Sequence, residues 1–374
     1  MKIAIIGKLF ASIQVTSAMG QERFIYYLSY LLAKKGHTVT LFASGDSRIE
    51  GVKIIPVIKK SFWKASKDPK KVLNCESGRS YGEREAIGYL KTLYYLRNHA
   101  KDFDIVHDNS DNFEILGLHK FLVSLPLMST LHLPPQYLVN LNKIVGQELD
   151  NYYIAISQKQ KKLAKKIKIF DVVYNGVDLK KFSFSEDYRE HLSWIGRIDP
   201  YKGLGAAIEV AEKAEVSLKI AGPIYNEKYF KEEIQPRLNK RIRYVGELSG
   251  LKLKRFYKRS KAVLFPVRWE EPFGFVMIEA MACGTPVIAF RRGAVPELIV
   301  QEKTGFICPK DKVSSMIKAV RKIYSMSDSH YRRIRINCRK HVEENFSINK
   351  MVENYEKVYQ KVIDDWKTKN NKMK

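Results

Sequence analysis

The sequence predicts an α/β protein of two domains in tandem, each built around a parallel sheet covered by helices on both faces. Short apolar runs alternate with amphipathic stretches through the first half of the chain, and the alternation starts again at Leu192. Strands that alternate with helices favour parallel sheets, because each parallel connection needs a crossover. The length of 374 residues also exceeds what one hydrophobic core usually serves. We therefore predict two Rossmann-like domains whose sheets face each other across a ligand cleft.

The first cycle of strands and helices defines a domain over residues 1–172. Its opening apolar run follows one basic residue and is too short for a signal peptide, which favours a buried first strand. Gly36-His37 marks a turn between a helix and the next strand. The predicted elements are the strand Ile3 to Ile6, the helix Phe24 to Ala33, and the strands Thr38 to Phe42, Asp104 to His107, Leu127 to Leu131 and Tyr153 to Ile156.

The second cycle defines a domain over residues 173–346, joined by a linker near Phe170 to Asp178. Residues 347–374 form a charged stretch with apolar side chains at helical spacing, which predicts one final helix. Met351, Tyr355, Val358 and Val362 lie on its apolar side. The predicted strands are Leu192 to Ile195, Ser217 to Ala221, Ile242 to Val245, Ala262 to Phe265 and Pro286 to Ala289, and the helices include Ala206 to Glu212, Leu251 to Tyr257 and Val276 to Ala282.

Charge is the unusual feature of the composition, since 66 Lys and Arg face 40 Asp and Glu and leave a net charge of +26. Such a field attracts nucleic acid, anionic lipid or nucleotide substrates, although a lysine-rich solvated surface explains it equally well. The run from Lys159 to Lys168 is either solvated surface or an anion-binding patch, and Ser157 to Gln160 has the form of a helix capping box.

No apolar run is long enough for a membrane span, and four separated cysteines give no metal-ligand spacing and suit a reduced compartment. We therefore expect a cytoplasmic protein, with peripheral contact at an anionic membrane as an option. The stretch from Lys59 to Lys71 interleaves lysines with Phe62 and Trp63. It is the predicted surface for an acceptor or for anionic lipid headgroups.

Two carboxylates with seven residues between them, Glu271 and Glu279, flank the point where a loop turns into a helix at Phe273-Gly274-Phe275. The helix N-terminus points free N–H groups at whatever anion or hydroxyl lies in front of it. Glu271 is then placed to accept hydrogen bonds from sugar hydroxyls. The alternative is structural, with Glu279 paired inside the protein and Glu271 stabilising the helix dipole.

A second cluster follows the strand Leu192 to Ile195, where glycines flank Arg197 and Lys202. Two cations five residues apart at the carboxyl end of a strand can converge on a diphosphate. Fixed positive charge there offsets the negative charge that builds up on a departing nucleotide diphosphate. Either cation alone is more simply explained as a surface residue beside a turn.

Together these motifs resemble the signature of the retaining glycosyltransferases of family four. The resemblance rests on Gly196-Arg197 with Lys202-Gly203, on Glu271-Pro272-Phe273-Gly274, and on the run from Glu279 to Pro286. Further matching segments occur in the family's order along most of the chain: Gly36 to Phe42, Asp104 to His107, Asn175 to Asp178, Ala221 to Pro223 and Gly293 to Glu297. The resemblance implies the GT-B fold, in which the C-terminal domain holds the nucleotide sugar and the final helix crosses back to the first domain.

The resemblance also implies roles for individual residues of the second domain. Arg197 and Lys202 hold the diphosphate, Glu271 holds the sugar, and Glu279 holds the ribose hydroxyls. The remaining donor-binding residues are Gly196, the backbone of Phe273 and Gly274, then Phe275 and Val276, with Gly246 and Leu248 bordering the nucleobase.

In the first domain the matching positions are less complete. Gly20 keeps one half of a double glycine whose other half is replaced by Met19, and Glu22 follows on the acceptor side. His107 and His132 each end a predicted strand and are candidates for substrate contact. Asn109 stands where some members have a second histidine, so this position offers no general base. The resemblance therefore favours transfer with retention of the anomeric configuration and without a metal, since Arg197 and Lys202 supply the charge.

Other function classes fit less well. Asp102-Phe103-Asp104 matches a short metal-binding pattern of another glycosyltransferase fold, but it precedes a strand, and we reject it as a metal site. No G-x-G-x-x-G motif follows the first strand, which disfavours a dinucleotide oxidoreductase. The open alternatives are a phosphorylase or epimerase of the same fold and a basic nucleic-acid-binding protein. The expected partners are a nucleotide-sugar donor, with uridine or guanosine as base, and a glycan, small-molecule or lipid acceptor, without a cofactor or specific nucleic acid.

Overall fold

The computed structural model describes residues 1–17, 19–62, 81–112, 117–136, 138–140, 151–188 and 190–371. The chain divides into two compact units. Unit 1 comprises Met1–Ile156, Gln160–Tyr174 and Asn349–Lys374, and unit 2 comprises Ser157–Lys159 and Asn175–Ile348. The last helix therefore belongs to unit 1, and the unit borders lie within a few residues of the predicted 172/173 and 346/347 borders.

In the described part of unit 1, seven parallel strands form one sheet in the order β3-β2-β1-β4-β5-β6-β7. The strands are β1 (Lys2–Ile6), β2 (Thr38–Ser44), β3 (Lys53–Ile58), β4 (Ile105–Asp108), β5 (Leu127–Leu131), β6 (Tyr152–Ala155) and β7 (Ile169–Val172). The central strands β1, β4 and β5 are almost entirely buried, because helices cover both faces of a parallel sheet.

The described helices of unit 1 are α1 (Gly20–Lys34), α2 (Tyr81–Asn98), α3 (His119–Leu122), α4 (Gln158–Leu163) and the last helix, which we label α11 (Ile348–Asn371), with a short 3-10 turn at Ala100–Asp102. The first two residues of α4 belong to unit 2. The three long helices α1, α2 and α11 each bury apolar side chains. The predicted apolar side of α11 is buried, including Met351, Tyr355, Val358 and Val362. Buried α2 residues such as Tyr89 and Leu93 join Phe42 and Val106 of the sheet in one core.

Phe62 belongs to that same core and is buried against it. The expectation that Phe62 offers an apolar contact to a membrane is therefore wrong. Its ring packs in the core, with the guanidinium of Arg84 at 5.0 Å from the ring centroid. The rest of that predicted stretch, Trp63 to Lys71, lies outside the described residues, whereas Lys59 and Lys60 are exposed.

Unit 2 repeats the arrangement with a second parallel sheet in the order β10-β9-β8-β11-β12-β13. Its strands are β8 (His191–Ile195), β9 (Ser217–Ala221), β10 (Ile242–Tyr244), β11 (Ala262–Phe265), β12 (Val287–Phe290) and β13 (Gly305–Cys308). Its helices include α5 (Leu204–Ala214), α6 (Gly250–Lys258), α7 (Phe275–Ala282), α8 (Val295–Leu298), α9 (Val313–Tyr324) and α10 (Asp328–Asn345). Short helical turns occupy Pro200–Lys202, Glu227–Tyr229, Phe230–Ile234 and Gln235–Arg237.

The predicted α/β class with two Rossmann-like parallel sheets is confirmed. Three strands were not predicted, namely β3, β7 and β13, and each lies at an edge of its sheet. Strand β3 contains Pro56, and proline, which has no N–H for the ladder, is tolerated at a sheet edge.

The strand orders fix where ligands can bind. In unit 1 the direction of the connections reverses between β1 and β4, and in unit 2 it reverses between β8 and β11. Ligands of open parallel sheets bind outside the carboxyl ends of the strands at such a switch point. The loops after β8 and β11 contain the two predicted donor-binding clusters. In unit 1, Asn109 and His132 directly follow β4 and β5, His107 lies within β4, and Gly20 and Glu22 lie at the start of α1. In the described residues, no helix combines the length and the apolar character that a membrane span requires.

Candidate functional site

The loop after β8 is shaped by glycines that the backbone requires. Gly203 has φ +74°, and a Cβ atom there would lie 1.9 Å from the carbonyl oxygen of Pro266. Gly222 has φ +130°, and its Cβ would lie 1.9 Å from the carbonyl oxygen of Gly196. Only glycine permits such close backbone approach in the left-handed region. Asp199 caps the following turn, accepting a hydrogen bond from the Tyr201 N–H at 2.9 Å.

This loop brings Lys202 into contact with Glu271, although 69 residues separate them in the chain. The Lys202 Nζ lies 2.8 Å from the Glu271 Oε2, and the two side chains are 21% and 13% exposed. The Lys202 ammonium also lies 4.8 Å from the ring centroid of Trp269. A fixed cation and a fixed carboxylate thus stand side by side at the switch point of unit 2.

Arg197 is placed differently from Lys202. Its side chain is exposed, and its guanidinium lies 4.9 Å from the ring centroid of Tyr225. Within the described residues it forms no ion pair, so its charge is available to an anionic ligand. The structure therefore pairs only one of the two predicted diphosphate cations with Glu271.

The backbone around Glu271 is held from two sides. Gly293, at φ +51°, packs against it so closely that a Cβ atom would lie 2.0 Å from the Glu271 carbonyl oxygen, and the Ala294 N–H donates to that oxygen at 3.0 Å. Glu270 accepts hydrogen bonds from the Gly293 N–H and from Lys310 at 2.8 and 2.7 Å. Burial opposes ionisation of Glu270, but the bonds from Lys310 and Gly293 outweigh it and lower its pKa.

Helix α7 begins directly after this loop. Gly274 precedes it at φ +98°, where a Cβ would lie 2.5 Å from the Met277 Cε. Phe273 is buried and packs edge-on against Phe275 and Phe346, with ring centroids 5.7 and 6.2 Å apart. The N-terminus of α7, at Phe275 and Val276, thus follows Glu271 within a few residues. Backbone N–H groups at a helix N-terminus favour anions, and the predicted donor contact of this N-terminus stays a prediction.

Glu279 lies in the middle of α7 and is buried. Its Oε2 accepts a hydrogen bond from the hydroxyl of Tyr257 on α6 at 2.9 Å. The structural alternative for Glu279, pairing inside the protein, is thus present in this structure, and its contact with a ribose stays a prediction.

The segment predicted to border the nucleobase follows β10 and reaches the same loops. Gly246, at φ +80°, accepts a hydrogen bond from the Gly222 N–H at 3.0 Å. The Tyr244 hydroxyl donates to the Gly222 carbonyl at 2.8 Å. Gly222 therefore adjoins both Gly246, through the hydrogen bond from its N–H, and Gly196, through the close approach described above. Leu248, two residues beyond Gly246, is half-buried.

Within unit 2, the segment Ser157–Lys159 is held by a residue that sequence reasoning did not identify. Glu297 on α8 accepts hydrogen bonds from the N–H groups of Gln158 and Lys159 at 2.7 and 2.6 Å. Ser157 donates to the Pro272 carbonyl at 2.7 Å, while the Gln160 Oε1 accepts from the Ile156 N–H at 2.8 Å. Lysines 161, 162, 165, 166 and 168 are exposed, which fits a solvated surface.

In unit 1, His107 is fully buried and both ring nitrogens are engaged. The Nδ1 lies 2.8 Å from the hydroxyl of Tyr359 on α11, and the Nε2 lies 2.8 Å from the Oγ1 of Thr130 on β5. Burial, with the neighbouring His132, lowers the pKa of His107 well below its ordinary value. Both ring nitrogens thus have protein partners in this structure, which gives His107 a structural role in holding α11, while its contact with a substrate stays a prediction.

This role predicts a stability effect. Replacing Tyr359 by phenylalanine leaves the Nδ1 of buried His107 without its partner, and we expect the free energy of unfolding to fall by about 1–3 kcal/mol. Thermal unfolding measures the change, with Tyr94→Phe as a control, because the Tyr94 side chain is exposed. Equal melting temperatures for the two variants would contradict the role.

Asn109 and His132 form a pair at the carboxyl ends of β4 and β5. The Asn109 Nδ2 donates to the His107 carbonyl at 3.4 Å, so its Oδ1 faces the His132 Nε2 at 3.1 Å. This orientation selects the tautomer of His132 with the proton on Nε2 and leaves Nδ1 as an acceptor. Burial, together with Lys8, lowers the pKa of His132 to about 3. His132 is therefore a neutral acceptor.

Charged residues that sequence reasoning missed surround this pair. Asp111 lies at φ +60° and accepts from the Gln21 Nε2 at 2.9 Å, with the Lys8 Nζ at 3.7 Å. Gln21 also donates to the Asn109 carbonyl at 2.6 Å. Lys8 and Asp111 follow β1 and β4 directly, and that position at the carboxyl ends of neighbouring strands was the available signal.

The beginning of α1 contains the two remaining predicted residues of unit 1, Gly20 and Glu22. Gly20 is the first residue of α1, and Glu22 in its first turn is buried, with its Oε1 lacking a hydrogen-bond partner. Burial raises the pKa of both Glu22 and Asp111. Burial also raises the pKa of Asp108 to about 7, although Ser110 and Ser129 donate hydrogen bonds to it.

Within the described residues, no group of three or more His, Cys, Asp or Glu side chains is arranged to hold a metal ion. Asp104 of the rejected Asp-x-Asp pattern accepts a hydrogen bond from the Lys2 N–H at 2.7 Å. It therefore lies at the amino ends of the strands, away from their carboxyl ends.

Comparison with known families identifies two matching models. Glycosyltransferase Family 4 matches residues 18–181, and Glycosyl transferases group 1 matches residues 178–341. An uncharacterised glycosyltransferase of Methanocaldococcus jannaschii is 26% identical over 74% of this chain and 82% of its own length. The O-antigen chain mannosyltransferase C of Escherichia coli is 22% identical over 92% of this chain and 95% of its own length.

Solved structures agree in fold. Sucrose-phosphate synthase from Thermosynechococcus elongatus superposes with a TM-score of 0.75 at 20% identity, covering 97% of this chain and 99% of that one. Anabaena HepE in complex with UDP and glucose superposes with a TM-score of 0.71 at 17% identity, covering 96% of this chain and 99% of that one.

Proposed function

This chain is a glycosyltransferase of the GT-B type, and we propose that it transfers a sugar from a UDP- or GDP-sugar with retention of the anomeric configuration and without a divalent metal. The acceptor is a glycan, a small molecule or a lipid. Among structural neighbours, HepE has been solved in complex with UDP and glucose.

The observation that carries the proposal is the contact of Lys202 with Glu271 at 2.8 Å. In a nucleotide sugar the diphosphate is bonded directly to the anomeric carbon, so the group that binds phosphate and the group that binds sugar hydroxyls must be neighbours. Lys202 supplies positive charge for the phosphate, and Glu271 accepts hydrogen bonds from the sugar. A bound donor would replace the contact between Lys202 and Glu271, with its diphosphate contacting Lys202 and its sugar contacting Glu271.

The chemistry follows from where charge develops. As the bond between the anomeric carbon and the phosphate oxygen breaks, negative charge builds up on the departing diphosphate. In this proposal Lys202, Arg197 and the N-terminus of α7 stabilise that charge. The acceptor oxygen approaches on the same face of the sugar and bonds to the anomeric carbon. Its proton passes to the departing phosphate oxygen, so no protein base is required.

Unit 1 supplies the acceptor-binding groups in this proposal. The His132 Nδ1 is an acceptor for a substrate hydroxyl, because Asn109 fixes its tautomer. With a pKa lowered to about 3, His132 is too weak a base to remove a proton at neutral pH. It therefore positions a hydroxyl, which is consistent with retention.

Metal independence gives a direct test. We expect hydrolysis of the donor to proceed at the same rate in excess chelator as in magnesium or manganese, because fixed cations replace the metal. A panel of UDP- and GDP-sugars is first screened for thermal stabilisation, since a ligand that binds the folded state raises its melting temperature. Activity lost in chelator and restored only by magnesium or manganese would contradict this part of the proposal.

A further inference from the structure

Two helices of unit 1 expose large apolar side chains on their outer surfaces. On α2 these are Leu90 and Tyr94, the latter 72% exposed, and at α3 they are Leu118, Leu122 and Phe121, the last 70% exposed. Helices α2 and α3 pack against each other, so the side chains lie on neighbouring surface. We call this set the exposed apolar face.

In the part of the chain that the structure describes, the core of unit 1 does not include this face. The opposite side of α2 already fills the core of unit 1 through Tyr89, Leu93 and Leu96, and Val123 just after α3 belongs to the same core. Single exposed apolar residues are normal, but a cluster with two largely exposed aromatic rings indicates a surface that binds a partner.

The charges around the exposed apolar face indicate which partner. Lys91, Arg97 and Lys101 are exposed, and within the described residues none of them forms an ion pair. The sequence has no Asp or Glu from Ala86 to Lys101 or from Gly117 to Leu131. Apolar side chains beside uncompensated cations fit an anionic lipid surface, where the chains enter the interface and the cations meet the headgroups.

We propose that the exposed apolar face, with Lys91, Arg97 and Lys101, docks the protein on the surface of a bilayer that contains anionic lipid. Phe121 and the leucines enter the boundary between headgroups and acyl chains, and Tyr94 lies at the level of the headgroups with its hydroxyl in water. Each cation near the surface strengthens binding about fivefold. The docking needs neither donor nor acceptor, so it is independent of the proposed function.

Vesicle co-sedimentation without nucleotide sugar tests the proposal. Vesicles of phosphatidylcholine alone are compared with vesicles of equal parts phosphatidylcholine and phosphatidylglycerol. We expect the full chain to bind the mixed vesicles at least about tenfold more tightly. Tyr94→Ser with Phe121→Ser, and separately Lys91→Glu with Arg97→Glu, should each weaken that binding at least about tenfold.

The matched control is Leu251→Ser with Lys252→Glu, an exposed apolar and basic pair on α6 of unit 2, which should bind like the unchanged chain. Melting temperature and donor hydrolysis should be the same for all variants, which separates docking from folding. Equal weak binding to both vesicles would overturn the proposal. A loss of binding in the charge variant alone would also overturn the proposal. That result would mean that a basic protein is attracted to anionic lipid in general, without use of the exposed apolar face. A dimer that dissociates in Phe121→Ser, without vesicle binding, would assign the face to a second copy.

Discussion

Replacing Lys202 by alanine should lower the turnover number by at least about a hundredfold, as expected for the loss of a transition-state charge contact of about 3 kcal/mol. The ammonium stands 2.8 Å from Glu271, at the place where the proposal puts the junction of diphosphate and sugar. Steady-state kinetics with the stabilising nucleotide sugar measures the effect. Because the contact strengthens as the phosphate departs, the change should appear in kcat more than in KM.

Two further variants make this result specific. Lys252→Ala removes an exposed lysine from the same unit and should leave turnover unchanged. Glu271→Gln keeps the size of the side chain but removes its charge, so it should weaken donor binding and also slow the reaction. A Lys202→Ala enzyme within about fivefold of the unchanged rate, less than 1 kcal/mol of barrier, would exclude the assigned role.

Replacing Gly203 by alanine should destabilise unit 2 by about 3 kcal/mol or more, because backbone strain and overpacking act together. The residue has φ +74°, and its Cβ would lie 1.9 Å from the Pro266 carbonyl oxygen. Relief of that clash must move the loop that contains Lys202, so turnover should fall as well. Thermal or denaturant unfolding measures the loss.

Gly250→Ala is the matched control, since Gly250 has φ +52° but nothing within 4 Å of a Cβ position. The Gly250→Ala variant keeps the unfavourable backbone conformation but lacks the clash. Its free energy of unfolding should therefore fall by only about 1–2 kcal/mol. Equal losses of stability at the two positions would mean that the close approach to Pro266 is not what requires glycine.

The sequence alone placed the two candidate clusters after predicted strands, because their glycines, cations and carboxylates follow the apolar runs there. It could not show that Lys202 touches Glu271. That contact depends on β8 lying beside β11 in the sheet, and strand order is a property of the whole unit. The edge strands β3, β7 and β13 were not predicted, and for β3 the local reason is Pro56, because proline argues against a central strand.

His107 shows most clearly what the sequence alone cannot predict. Its place at the end of a predicted strand suggested a substrate contact, but its partner Tyr359 lies 252 residues away on the last helix. The residues around His107 do not indicate that the last helix of the chain packs against this strand. Lys8 and Asp111 follow β1 and β4, and their proximity likewise depends on these two strands being neighbours in the sheet.

The configuration of the released sugar tests the central claim most directly. With water as acceptor, proton NMR of donor hydrolysis follows the anomeric coupling of the first product before mutarotation. The account predicts that the sugar leaves with the configuration that it had in the donor, and that Lys202→Ala slows this release at least about a hundredfold. First appearance of the opposite anomer would contradict the account, because inversion requires a protein base that it does not include.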